Sequence, residues 1–228
     1  MAVVDPDLTL EQALFDEGIQ TVAGLDEVGR GAWAGPVSVG VVVLRADQPP
    51  APAGIRDSKL LSRARREALR PRIVEWAPAA VGSASPLECD VLGMRAAVAL
   101  AASRALAALE LVPEVIIVDG PLDLLSAGEA LDEHVAMHWW RSTPPRVVPV
   151  VKADQRCLSV AAASVVAKVT RDHEMAELAT SFPAFGFDSN AGYPSPVHRR
   201  ALAGYGVTSI HRRSWSFVDG LPLGSMAQ

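Results

Sequence analysis

Cysteine is scarce, with 2 in 228 residues. Cys89 and Cys157 stand far apart, in no metal-like spacing. That argues against a disulfide framework and leaves a reduced, cytoplasmic protein as the simplest expectation. Long apolar runs are missing too. The stretch 91–109 is broken by Arg95, Ser103 and Arg104, whereas a membrane-spanning helix needs about 20 nearly uncharged residues. The opening "MAVVDPDLTLEQALFDEGI" is acidic and lacks the basic start and apolar block of a secretory signal. Internal repeats and a domain-scale linker are also lacking, so one domain is expected.

Positive charge is in deficit, at a net −5. Taken alone, that counts against nucleic acid, because phosphate binding runs on Lys and Arg. Binding is local, however. From Ser189 to Phe217 there is no Asp or Glu, while Arg199, Arg200, Arg212 and Arg213 occur with His198 and His211. A solvated basic surface and a set of phosphate-backbone contacts both fit that run.

What is present is an alternation of strands and helices. Residues 8–18 read as a short helix. "TVAGLDEV" and "VSVGVVVL" read as strands joined in a hairpin across Gly29 to Pro36. "SRARREALRPRIVEW" reads as a helix capped by Ser62, and 78–85 as another strand. Residues 88–110 read as one helix of good helix formers. "EVIIVDG" and "RVVPVVKAD" read as apolar strands, each closed by an acid. A helix of "LSVAAASVVAKVTRDHEMAELATSF" follows, then loops and a short helix at 197–203. A hairpin followed by alternating elements predicts an α/β protein: a mixed sheet with helices on its faces.

Three of these strands carry acids at an end: Asp26 with Glu27, then Asp119, then Asp154. One such acid merely turns a chain toward water. Three on similar strands can converge, and their repulsion is then costly unless a cation sits among them or a proton is shared. Hard oxygen donors without neighbouring Cys or His favour Mg2+ or Mn2+. Two such ions about 4 Å apart suit phosphoryl transfer. Beside the first pair, Gly29-Arg30-Gly31 reads either as a tight hairpin turn or as a turn whose exposed amides meet a phosphate or sugar hydroxyl. Ser164, Lys168 and Asp172 share one helix face, as a support to the acids or as a surface pair. His134 and His138 share helical spacing without a third ligand, so zinc is not expected. A histidine base is not expected of His173, His198 or His211, because metal-bound water needs none.

"GLDEVGRGAWAGPV" resembles the signature of the type 2 ribonuclease H family, bacterial ribonuclease HII. "DSKLL", "IIVDG", "VVKAD", "SVAAASVVAKVTRD", "GYPSPVH" and "IHRRSW" follow in the family's order, over about residues 20–217. The resemblance implies a ribonuclease H-like sheet flanked by helices (core about 20–180), a C-terminal helical substrate-binding extension (about 181–217) and a loose tail (218–228). It implies hydrolysis of RNA in RNA–DNA hybrids, and incision 5′ of single ribonucleotides in duplex DNA, leaving 3′-hydroxyl and 5′-phosphate ends. Carried over, Asp26, Glu27, Asp119 and Asp154 become the catalytic, metal-binding acids. Gly29, Arg30 and Gly31 become the reader of the ribose 2′-hydroxyl, the group that separates RNA from DNA. Tyr193 packs on the adjoining sugar, and Lys59, Arg212 and Arg213 contact the backbone. A monomer is the default, and protein partners such as a replication clamp are left open.

Some positions depart from the family pattern. Ala153 stands where glycine is usual, which is tolerable if the turn needs no positive φ. Leu60 replaces a second lysine, leaving Lys59 as the phosphate contact. Asn190-Ala191 replace a His-Lys pair before Gly192-Tyr193, removing a cation. The segment between Asp119 and Asp154 is long and carries Trp139-Trp140. Two rival readings stay open: a non-catalytic nucleic-acid binding module, and another metal-dependent nuclease or strand transferase on the same fold.

Overall fold

The structure is a computed structural model and describes residues 5–109, 111–120 and 144–221. Its frame is the expected antiparallel hairpin of β1 (Thr21–Val28) and β2 (Val37–Arg45), with Asp26 opposite Gly40. β-Branched side chains suit a pleated surface covered on both sides, and β2 is buried from Val37 to Leu44. β3 (Ala79–Ala84) adds antiparallel to β2. β4 (Val115–Asp119) and β5 (Arg146–Val150) add parallel on the far side of β1, giving the order β3-β2-β1-β4-β5. β1 and β4 therefore end side by side.

Helices close both faces. α4 (Met94–Ala107) packs on Leu25, Val39, Val41 and Val118. α5 (Leu158–Ser181) packs on the other face. There it shares Val42 and Leu44 with α2 (Arg63–Trp76), and Val22 and Ile117 with α1 (Thr9–Asp16). Ser62 caps α2 as expected, accepting the Arg65 amide at 3.4 Å. Side chains alternate along a strand, so Asp26 and Asp119 emerge on the α5 face and Glu27 on the α4 face. Among the described residues, no helix is long and apolar enough to cross a membrane.

The structure departs from the sequence expectations in three places. The helix expected over 88–110 is two helices, α3 (Pro86–Leu92) and α4, parted at Gly93 with φ 78°. α3 also starts early, because Ser85 and Glu88 form a reciprocal capping box. The strand before Asp154 stops at Val150. Lys152 then turns left-handed at φ 57°, and Asp154 sits on a short 3-10 turn, Ala153–Gln155. Ala153 itself has no positive φ, so alanine is accommodated there. Between α5 and α7 (Pro196–Tyr205) lie a 3-10 turn, Pro183–Phe185, and α6 (Phe187–Asn190), neither of them expected. Phe185, Phe187 and Leu202 bind this C-terminal segment to Ala34 and Met175 through an apolar cluster. The pairs Trp139-Trp140 and His134–His138 lie outside the described residues.

Candidate active site

Each acid is delivered by a different element. Asp26 ends the buried part of β1 and is only 6% exposed. Asp119 ends β4, where its Oδ1 accepts the Ala153 amide at 2.8 Å. That bond ties β4 to the turn carrying Asp154, which is itself buried. Lys59 reaches in from a 3-10 turn, Ser58–Leu60, and its Nζ lies 3.2 Å from Asp154 Oδ2. Asp57 starts that turn and accepts the Lys59 amide at 2.9 Å. Ser164 on α5 accepts the Ser58 amide at 3.1 Å, and Arg66 on α2 donates to the Ser58 and Leu61 carbonyls at 3.0 and 2.6 Å. Arg66 also meets Asp172 at 3.6 Å, and Lys168 pairs with Asp172 at 2.6 Å. The expected face of Ser164, Lys168 and Asp172 thus holds the Lys59 turn in place. His173 turns away from the site and pairs with Glu67.

The charges are strongly coupled. Burial, then the neighbouring Glu27, pushes the Asp26 carboxyl well above its usual range; Asp154 and Asp119 push the same way, and Lys59 opposes them. Asp154 is raised by burial and by Asp57, again against Lys59. Burial works against the Lys59 charge, yet Asp26, Asp57 and Asp154 outweigh it and leave its pKa raised. One ammonium thus faces a crowd of carboxylates. Such a set of hard oxygen donors fits a divalent cation. Among the described residues, no three His, Cys, Asp or Glu side chains stand close enough together, as they lie, to hold a metal ion.

The glycine turn lies at the same end of β1. Gly29 has φ 85°, and a Cβ there would fall on the Arg171 guanidinium. Arg30 is exposed and leans back 3.6 Å from Glu27. Gly31 lies beside Tyr193, since a Cβ there would sit 3.8 Å from the Tyr193 ring. Gly31 and Tyr193, both singled out in the sequence, thus lie side by side. Tyr193 is held by α7 and by Gly192, whose carbonyl accepts the Trp33 and Ala34 amides.

The family model for ribonuclease HII matches residues 23–218. The chain belongs to the ribonuclease HII family. A ribonuclease HII of Streptomyces avermitilis is 48% identical over 219 residues, covering 95% of this chain and 86% of that protein. Among solved structures, the ribonuclease H2 of Pyrococcus horikoshii superposes with a TM-score of 0.68 at 29% identity, over 88% of this chain and 96% of that one. The ribonuclease HII of Archaeoglobus fulgidus, solved in a complex with PCNA, gives a TM-score of 0.66 at 29% identity, over 86% and 95% of the two chains. The mixed sheet is therefore a ribonuclease H fold, and the chain is a ribonuclease H, a hydrolase acting on RNA–DNA hybrids.

Within this ribonuclease HII, the basic run of the C-terminal segment divides in two. Arg199, Arg200 and Arg213 are exposed. Arg212, expected on a phosphate, is fully buried, and so are His198 and His211. Arg212 donates instead to backbone carbonyls of the glycine turn, which removes it from contact with substrate. Arg213 is placed by Asp90, which accepts its amide at 2.7 Å. Sequence reasoning also missed Glu11, a buried acid on α1 that accepts the Ser159 amide and hydroxyl at the start of α5. Its only sequence signal is an acid on the apolar side of a short helix.

The two histidines form a relay with fixed polarity. The Thr208 amide donates to His211 Nδ1 at 3.0 Å, and His198 Nδ1 donates to the Tyr193 carbonyl at 3.0 Å. The Nε2 atoms meet at 3.0 Å, so His211 donates to His198 and both rings are neutral. Burial, with His198 and Arg213 adding to it, pushes His211 from 6.5 down to about 3. Burial lowers His198 as well. The unfolded chain therefore binds protons that the folded chain refuses. The stability this confers is complete above the unfolded pKa of 6.5 and is lost as pH falls toward about 3. At pH 5 the expected loss is about 2 kcal/mol. Thermal unfolding of wild type and His211→Gln at pH 7 and 5 checks this, since carboxylates common to both cancel. A pH slope equal in the two proteins contradicts it.

Proposed function

We propose that this ribonuclease HII cuts RNA strands by divalent-metal-assisted hydrolysis at Asp26, Glu27, Asp119 and Asp154, and also incises duplex DNA 5′ of a single embedded ribonucleotide. The observation that carries this is the meeting of Asp26, Asp119, Asp154 and Lys59 at one sheet end, beside the Gly29–Gly31 turn and Tyr193. The four carboxylates would hold Mg2+ or Mn2+. Bound there, divalent ions would supply Lewis-acid chemistry for hydrolysis that leaves 3′-hydroxyl and 5′-phosphate ends. Asp119 is fixed by the Ala153 amide on Oδ1, and among the described residues its second oxygen has no hydrogen-bond partner. Lys59, whose ammonium lies 3.2 Å from Asp154, would contact the scissile phosphate. The turn reads the 2′-hydroxyl through its amides, and the Tyr193 ring packs against the neighbouring sugar. The exposed Arg199, Arg200 and Arg213 contact phosphates and fix register without reading sequence. The protein works as a cytoplasmic monomer, with residues 181–217 as its substrate-binding extension.

The test is hydrolysis of a long RNA–DNA hybrid with Mg2+, with Mn2+ and with chelator, beside an all-DNA duplex and with end-group analysis. Metal-dependent cutting of the RNA strand alone, with 5′-phosphate products, is expected. Cutting in chelator contradicts the metal assignment. Cutting of the all-DNA duplex favours a general nuclease or strand transferase.

A further inference from the structure

The strongest unexplained feature lies behind the glycine turn. Arg171 on α5 and Arg212 in the C-terminal segment are both fully buried, and among the described residues neither has a carboxylate partner. Burying an unpaired charge is costly unless hydrogen bonds replace its water. Here those bonds go almost entirely to one loop. Arg212 donates to the carbonyls of Arg30 at 2.8 Å, Gly29 at 2.7 Å and Gly35 at 3.2 Å. Arg171 donates to Pro36 at 2.8 Å, Ala34 at 3.2 Å and Ala191 at 2.9 Å, the last two residues before Tyr193. Among the described residues, the Arg212 Nε has no acceptor while the guanidinium makes these bonds. The loop is shaped to the guanidiniums in return: a Cβ at Gly29 would fall on Arg171. Carbonyls are thus drawn inward, while the amides of the exposed Arg30 and Gly31 have no acceptor among the described residues.

We propose that Arg171 and Arg212 are positioning residues that set ribonucleotide specificity, by holding the carbonyls of the 29–36 loop inward so that the Arg30 and Gly31 amides face the ribose. Neither arginine touches substrate. This rests on the reading of that turn as the reader of the 2′-hydroxyl. Burial lowers the Arg212 guanidinium to about 10, which leaves it charged at neutral pH. Arg212, bonded to the Gly29 and Arg30 carbonyls, also polarises the two peptides that carry the Arg30 and Gly31 amides and strengthens them as donors. Lysine keeps the charge but cannot fork across two carbonyls. A loosened turn harms the two substrates unequally. A long hybrid offers a ribose at every position, whereas a single embedded ribonucleotide offers one.

The experiment uses the full chain as wild type, Arg212→Lys and Arg171→Lys. Cleavage of a duplex with one ribonucleotide is compared with cleavage of a long hybrid, and thermal unfolding is measured alongside. The ratio of single-ribonucleotide to hybrid cleavage is expected to fall about tenfold in Arg212→Lys, the effect of one lost charge-assisted hydrogen bond. The fall should be smaller in Arg171→Lys, whose bonds lie on the far limb of the loop. Arg171→Lys carries the test if Arg212→Lys does not fold. An unchanged ratio, with both rates falling together as stability falls, assigns the arginines a merely structural role and overturns the proposal. Failure of the wild type to incise at the single ribonucleotide overturns the underlying reading of the turn, and the two failures are thereby distinguished.

Discussion

Asp26→Asn is expected to lower hybrid cleavage by about a thousandfold or more, because stabilisation of transition-state charge by a bound metal is worth several kcal/mol. The same change should leave the melting temperature equal or higher. The two effects diverge because a charge on Asp26 is costly to the fold. Burial and Glu27 both favour its neutral form, and only Lys59 opposes them. Asparagine has nearly the same shape and no charge, so that strain disappears along with the ligand. An inactive variant with reduced stability would instead mark Asp26 as a packing residue. Wild-type-like turnover would remove it from the metal site. Activity and calorimetry on one preparation separate these outcomes.

Gly24→Ala is expected to cost about 3 kcal/mol, the upper end of overpacking penalties. Gly24 lies on β1 beneath the start of α5. An added Cβ would land on the Ser159 carbonyl carbon and the Val160 amide nitrogen, both backbone atoms that cannot rotate away. The helix start cannot retreat freely. Glu11 holds the Ser159 amide at 2.9 Å, and the Cys157 amide bonds Ala153 at 2.8 Å. Pushing α5 outward therefore drags the turn that carries Asp154. Melting should fall by about 10 °C for a chain of this size, and activity should fall with it. Gly204→Ala in α7 is the control. Nothing lies within 4 Å of a Cβ there, so a gain of about 0.5–1 kcal/mol is expected from helix propensity. Equal effects at the two glycines would contradict the close approach of α5 to the sheet.

How much of this was legible in the sequence depended on how local its cause was. β1 and β2 announce themselves by valine content and turn glycines, and their hairpin followed. The start of α3 and the break at Gly93 were local signals too, but good helix formers on both sides masked them. Asp154 looked like a strand end because "VVKAD" repeats the pattern of "IIVDG". The left-handed Lys152 that places it on a turn leaves no mark in residue type. The convergence of the acids was suggested by their repetition, yet strand order alone brings β1 and β4 side by side. The basic C-terminal run was misread in part for a different reason. Arg212 donates to backbone carbonyls far away in sequence, while His198 and His211 bond each other, the Tyr193 carbonyl and the Thr208 amide. Composition predicts exposure for such residues, and only the tertiary packing of residues 29–36 against α5 and α7 accounts for their burial.

The most direct measurement is incision of a duplex DNA carrying one internal ribonucleotide, with Mg2+, with Mn2+ and with chelator. A single metal-dependent cut on the 5′ side of the ribonucleotide, with the all-DNA duplex intact, is the predicted result. A duplex left whole by an enzyme that cuts long hybrids would keep the acids in their role and contradict the glycine turn as the reader of the ribose.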